Sequence, residues 1–134
     1  MTVNIFTYGT LMFDTVWLQV TGSLNKNRKA KIRGFRRMSV NGEVYPALIP
    51  GSANDIVEGI LYFAVDDLTL RRLDRFEGSA YEPQQINVVL SDDCFIPARC
   101  YVLKKEYYHI IDGQKWDPGQ FEKVHLQSFL KYGL

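Results

Sequence analysis

Apolar positions along this 134-residue chain recur at two spacings, every second residue and every third or fourth, and the switches between them mark the elements. Val3 to Tyr8 is rich in β-branched and aromatic residues, which predicts a buried opening strand. Gly9-Thr10 breaks it; glycine there lets the backbone turn tightly and lets a ligand approach the main chain. Phe13, Val16, Trp17 and Val20 then share one helical face, so a helix is predicted from Phe13 to Thr21 with Gly22 as its stop. Between Asn25 and Arg37 the cations Lys26, Arg28, Lys29, Lys31, Arg33, Arg36 and Arg37 are interrupted by Ala30, Ile32 and Phe35. That alternation predicts a half-exposed strand with a basic outer face, Gly34 forming a bulge, and not a nucleic-acid patch.

Asn41-Gly42 is a strong hairpin signal and joins Phe35–Val40 to Glu43–Ile49. Pro46 lies inside the second of these strands, which places that strand at a sheet edge, and Pro50-Gly51-Ser52 predicts a turn. The next strand, Asp55 to Val65, contains Gly59 and the unbroken apolar run Ile60 to Phe63, so both of its faces should be covered. Asp66 or Asp67 caps a helix that carries Leu70, Leu73 and Phe76 on one side and ends near Phe76, with Gly78 beyond it in the left-handed conformation. Gln84 to Leu90 and Phe95 to Leu103 are strands about a turn at Ser91-Asp92-Asp93. Lys104 to Asp112 reads as irregular or as a helical turn. Asp117-Pro118-Gly119-Gln120 begins a last helix that runs to Tyr132 before Gly133, with Phe121, Val124, Phe129 and Leu130 available to dock.

The linkers between strands are hairpins or short helices with no βαβ repeat. This predicts an α+β fold with a mixed or antiparallel sheet of about six strands curled into a small barrel with helices around it. One domain spanning residues 1–134 is expected, since that length supports a core without metal or disulfide staples. A net charge of +1 gives no electrostatic case for nucleic acid or an anionic membrane, and no apolar run reaches a membrane span. Without a secretion signal the chain is expected in the cytoplasm. Cys94 and Cys100 lie on one strand, roughly 20 Å apart if extended, too far to bridge. With two separated histidines, a metal site has little support, and His125 reads as a surface or core-rim residue.

Two stretches carry candidate chemistry. Glu77 stands where an amphipathic helix ends among apolar residues, and a carboxylate at the mouth of an apolar pocket is a candidate general acid/base because lost hydration raises its pKa. Helix dipole and desolvation both push Glu77 upward from about 4.3. Its bland alternative is a surface charge at a helix end. In Tyr8-Gly9-Thr10-Leu11, a strand, a glycine turn and a helix start leave backbone N–H groups suited to an anion such as a substrate carboxylate, although a glycine after a strand is commonly just a turn.

The order of motifs resembles the gamma-glutamylcyclotransferase-like family, which includes gamma-glutamylamine cyclotransferases. Tyr8-Gly9-Thr10-Leu11 resembles its YG(S/T)L signature, Tyr45-Pro46-Ala47 its YPA element, and Val57-Glu58-Gly59-Ile60-Leu61-Tyr62 its V-x-G-x-L-Y strand. The stretch from Leu73 to Tyr81 resembles the LDxxEGxxY segment that carries the catalytic glutamate. Ala98-Arg99-Cys100-Tyr101 is similar to its later A-x-x-Y strand, and Trp116 with the last helix to its ending. The chain departs at Ile60, where many members have Glu, and at Pro83, where many have Arg; both leave the substrate subgroup open.

The resemblance implies a barrel of six or seven strands with a central cavity, and a cofactor-free enzyme that releases 5-oxoproline and an amine or amino acid from a γ-glutamyl compound. Glu77 would be the general acid/base and Tyr8, Gly9, Thr10 and Leu11 would bind substrate. Tyr81 and Tyr101 would place hydroxyls at the rim, or serve as core tyrosines satisfied elsewhere. The alternatives are a non-catalytic small-molecule-binding barrel of the same fold and an interaction domain. The oligomeric state and the leaving amine stay open.

Overall fold

The computed structural model describes residues 1–90 and 94–133; the predicted turn at Ser91-Asp92-Asp93 lies outside them. In chain order the strands are β1 (Val3–Thr7), β2 (Asn27–Arg33), β3 (Phe35–Val40), β4 (Pro46–Pro50), β5 (Ile56–Val65), β6 (Tyr81–Leu90), β7 (Phe95–Leu103) and β8 (Ile111–Lys115). Helix α1 (Asp14–Thr21) follows β1, and α2 (Asp67–Glu77) joins β5 to β6.

Five strands close a barrel in the order β1-β5-β2-β6-β7. All its pairings are antiparallel except β1 with β7, where Ile5 lies opposite Arg99 in parallel. The α+β class with a mixed barrel is therefore the one the sequence predicts. The strands divide differently: five in the barrel and three in a separate sheet of order β4-β3-β8. The division occurs at Gly34, which is not a bulge within one strand. Its N–H donates to Asp55 O and its carbonyl accepts from Gly51 N–H, so the chain leaves the barrel there and β3 begins the second sheet. The Asn41-Gly42 hairpin is present, but its loop runs through residue 45 because the antiparallel register, Met38 opposite Ala47, begins at Pro46. Pro46 opens β4, and β4 is an edge strand, as proline requires.

Two registers differ from the sequence reading because pairing partners set them. β6 begins at Tyr81, not at Gln84, because Tyr81 already pairs with Leu103 of β7. Pro83 is tolerated there because, among the described residues, β2 pairs with β6 only at Val89 and Leu90, so the missing N–H breaks no ladder. The stretch after β7 forms a 3-10 turn, Lys105–Ile110, and then β8, a mostly exposed strand whose sequence lacks apolar alternation.

Alternation fills the barrel. Phe6, Ile32, Leu61, Val88 and Cys100 point inward, while Ile5, Tyr62 and Tyr101 point outward beneath the helices. This is why Ile60 to Phe63 reads as an unbroken apolar run: both faces of β5 are covered. Trp17 of α1 stacks on Tyr62 with ring centroids 3.7 Å apart. Asp66 caps α2 by accepting from Thr69 N–H at 2.9 Å. The C-terminal helical segment starts at Pro118–Gln120, capped by Asp117 on Gly119 N–H, passes through a π-helical stretch, Phe121–His125, and continues as Leu126–Tyr132. The π stretch keeps Phe121 and Phe129 buried and turns Val124, an expected docking residue, out to solvent. Among the described residues no helix is long and apolar enough to cross a membrane.

Candidate active site

The site grows from two chain breaks brought to one end of the barrel. After β1 the chain enters a 3-10 turn, Thr10–Met12, closed by Met12 N–H on Gly9 O and Phe13 N–H on Thr10 O. The amides of Gly9, Thr10 and Leu11 begin this turn and so have no acceptor within it. A methyl group on Gly9 would stand 2.8 Å from the ring of Pro46, so the glycine of the first motif and the proline of the second are one contact. Behind the loop, the Arg37 guanidinium donates to the carbonyls of Tyr8 and Glu58 at 3.0 Å each and lies 5.5 Å over the Trp116 ring. The sequence offered Arg37 as one surface cation among seven; it is instead partly buried and braces the loop. Burial draws its pKa down, with Asp117 and Glu58 opposing.

The second break is the end of α2. Glu77 is its last residue and Gly78 its cap, N–H on Asp74 O at 3.2 Å. Gly78 has φ +79 and ψ −170, so it is not in the left-handed helical conformation expected of it. The extended ψ ends the helix and leads into a turn at residues 79–80 before β6, in a region that side chains rarely enter. We therefore predict that Gly78→Ala destabilises the fold by about 1–3 kcal/mol in a denaturant titration, although open space surrounds the position, and displaces Glu77 with it.

Between the breaks lies a cavity of about 170 Å³. Residues Tyr8 to Leu11 line it together with Glu77, Tyr81 and Tyr101, so every site residue singled out in the sequence reaches one space. The end of β1, from Ile5 to Thr7, lines it as well, and Tyr45, Pro46, Phe76, Phe129 and Gly133 add to the wall from other elements. None of these eight was singled out as a site residue. The YPA element was the available signal for Tyr45 and Pro46; Phe129 and Gly133 gave none, because their place depends on how the last helix docks. Among the described residues no lysine, arginine or histidine lines the cavity, and no group of His, Cys, Asp and Glu side chains is arranged to hold a metal.

The tyrosine hydroxyls are committed as donors. Tyr8 donates to Tyr101 O at 2.7 Å, Tyr81 to Pro46 O at 3.0 Å, and Tyr101 to the Asp74 carboxylate. Burial pushes all three phenols well up, and the nearby Glu77 charge adds to each, so they stay neutral. Glu77 differs: among the described residues its carboxylate accepts no hydrogen bond. Burial first, and the Asp74 charge second, push its pKa up to about 8. Part of its surface stays exposed, and among the described residues no buried side-chain oxygen lacks a partner, so the carboxyl opens onto the cavity. The upward direction matches the sequence expectation; Asp74 as a cause was not foreseen. Of the cysteines, Cys100 is buried inside the barrel and Cys94 is exposed.

Comparison with known proteins adds the following. Residues 5–118 match the sequence profile of the family described as Gamma-glutamyl cyclotransferase, AIG2-like. The chain is 34% identical over 130 residues to AIG2-like protein D of Arabidopsis thaliana, covering 96% of this chain and 84% of that protein. A solution structure of another Arabidopsis thaliana protein superposes with a TM-score of 0.76 at 23% identity, over 98% of this chain and 79% of that one. A solved structure named Gamma-glutamyl cyclotransferase superposes with a TM-score of 0.67 at 18% identity, over 78% and 68% of the two chains, and shares the fold.

Proposed function

This chain belongs to the gamma-glutamyl cyclotransferase, AIG2-like family, and we propose that it acts as a cofactor-free γ-glutamyl cyclotransferase with Glu77 as its general acid/base. The observation that carries the reading is the Glu77 carboxyl, poised near neutrality and unpaired, in the same small cavity as the Tyr8–Leu11 loop. A γ-glutamyl compound presents a free α-carboxylate and a free α-ammonium. The amides of Gly9, Thr10 and Leu11 would hold the carboxylate, a role left to the backbone because no cation lines the wall among the described residues.

Glu77 then removes a proton from the α-ammonium. The freed amine attacks the γ-carbonyl of the same molecule, the γ C–N bond breaks, and the five-membered lactam 5-oxoproline forms. Protonated Glu77 gives its proton to the departing amine as the C–N bond breaks. The carboxylate so regenerated takes the second proton, shed by the new ring nitrogen, and passes it to the free amine, which leaves as its ammonium. The raised pKa is what makes this base adequate: an α-amine titrates at about 8, so the transfer is nearly even, whereas an ordinary glutamate would face roughly four units. No separate nucleophile is required, because the substrate supplies it, and well-oriented intramolecular attack is worth about 7–11 kcal/mol of the barrier.

The test is 5-oxoproline release from γ-glutamyl amines and peptides, followed against pH. Glu77 must be ionised to accept the proton. Release per unit time should therefore rise with pH through about 8, the value of the free protein, and not near the ordinary carboxylate range. A profile flat from pH 5 to 9 contradicts Glu77 as the base. The same fold without any release from the panel would favour a binding barrel.

A further inference from the structure

We propose that Asp74 and Tyr101 are a positioning pair for Glu77, with Tyr101 acting through Asp74 and not on substrate. The inference rests on Glu77 being the acid/base. Tyr101 is one residue with two opposite duties. Its carbonyl accepts the Tyr8 hydroxyl at 2.7 Å, and its own hydroxyl donates to the Asp74 carboxylate. A single position on β7 thus ties the loop on one side of the cavity to the last turn of α2 on the other. Asp74 precedes Glu77 by three residues, so the two share a helical face. Its main-chain carbonyl also accepts from Gly78 N–H, closing the turn in which Glu77 stands. Asp74 is therefore held by its side chain and holds the catalytic turn by its backbone. A tyrosine hydroxyl already committed to a carboxylate is poorly placed to donate to a ligand as well.

The pair also acts by charge. The groups that face Glu77 are Asp74 on its own helix, Tyr8 from the loop after β1, Tyr45 from the β3–β4 loop, Tyr81 from β6, and Cys100 and Tyr101 from β7. Burial raises the five phenol and thiol groups away from neutrality, so they stay uncharged. Asp74 is then the one charged neighbour identified among the described residues. Its negative charge favours the protonated form of Glu77, which makes Glu77 a stronger base. A purely structural Asp74 would be replaced equally well by asparagine, which keeps the acceptor for Tyr101 and loses the charge.

The experiment measures kcat, KM and the pH profile of 5-oxoproline release, from whichever of a panel of γ-glutamyl amines and peptides the wild type turns over fastest. The variants are Asp74→Asn, Asp74→Ala, Tyr101→Phe and the double variant Asp74→Ala/Tyr101→Phe. In Asp74→Asn the acid limb should move down by about half to one pH unit. Tyr101→Phe should lower kcat severalfold with little change in KM, and should add nothing once Asp74 is alanine, since the hydroxyl then has no partner to hold. An unmoved limb in Asp74→Asn overturns the proposal, and because that variant is nearly isosteric this readout survives any folding defect of the alanine variants. Equal losses from Tyr101→Phe with and without Asp74, read mainly in KM, would make Tyr101 a substrate contact and also overturn it. Absence of release by the wild type from every compound overturns the cyclotransferase reading and this inference with it, whereas either of the other two failures leaves that reading standing.

Discussion

Glu77→Gln is expected to cut 5-oxoproline release by about 10²–10⁴-fold and, at pH 8, to leave the fold more stable than wild type. The two effects have one cause. The folded protein holds the Glu77 proton up to about pH 8, while the unfolded chain loses it near 4.5. Between those values the native state binds one proton more, so Glu77's contribution to stability is complete below about pH 4.5 and is lost as pH rises to about 8. The slope is at most ~1.4 kcal/mol per pH unit. Because Glu77 keeps part of its surface exposed, solvent screening reduces the total to roughly 1–3 kcal/mol at pH 8. Glutamine has no charge to desolvate. Thermal melts at pH 4 and pH 8 check this: the two proteins should differ little at pH 4, and the variant should melt higher at pH 8. A variant less stable at both would mean that the carboxyl is structural.

Gly59→Ala is expected to destabilise the fold by about 3–5 kcal/mol, read as a fall in melting temperature of about 10–20 °C. A methyl group at this position in β5 would stand 2.1 Å from Thr7 O and 2.8 Å from Phe6 Cζ. The first of these is backbone, and it cannot give way unless β1 parts from β5 at a pairing that includes Thr7 opposite Ile60. That seam leads directly into Tyr8 and the loop, so activity should fall with stability. A loss below 1 kcal/mol would show that the strands have room the geometry denies them.

Local signals carried most of the fold. The period-two alternation of Ala30 and Ile32, the helical spacing of Val16, Trp17 and Val20, and the capping Asp66 each depend on a few neighbouring residues, and each stands where the sequence puts it. Glu77 was legible as a candidate because an amphipathic run, a carboxylate and a glycine adjoin in the chain, but those residues fit a surface charge as well, and it was the ordered set of family-like motifs that singled it out. What stayed hidden depends on long-range pairing. Gly34 looks like a bulge until its partners, Asp55 and Gly51, show that the chain changes sheets there. β8 is exposed and polar, and it exists because β3 offers it an edge. Arg37 looked like its neighbouring surface cations until the carbonyls of Tyr8 and Glu58 claimed it. Phe129 reaches the cavity through the docking of a helix that begins more than a hundred residues after Tyr8. Asp74 lay inside a recognised motif, but the hydrogen bond it accepts comes from Tyr101, 27 positions away.

The central claim is that Glu77 moves the proton that closes the lactam. The most direct measurement is 5-oxoproline released from a panel of γ-glutamyl amines, amino acids and peptides, wild type beside Glu77→Gln, with both folds checked by circular dichroism. Release by the wild type that falls at least about a hundredfold in a folded Glu77→Gln is the predicted result. Equal release by the two proteins would contradict it.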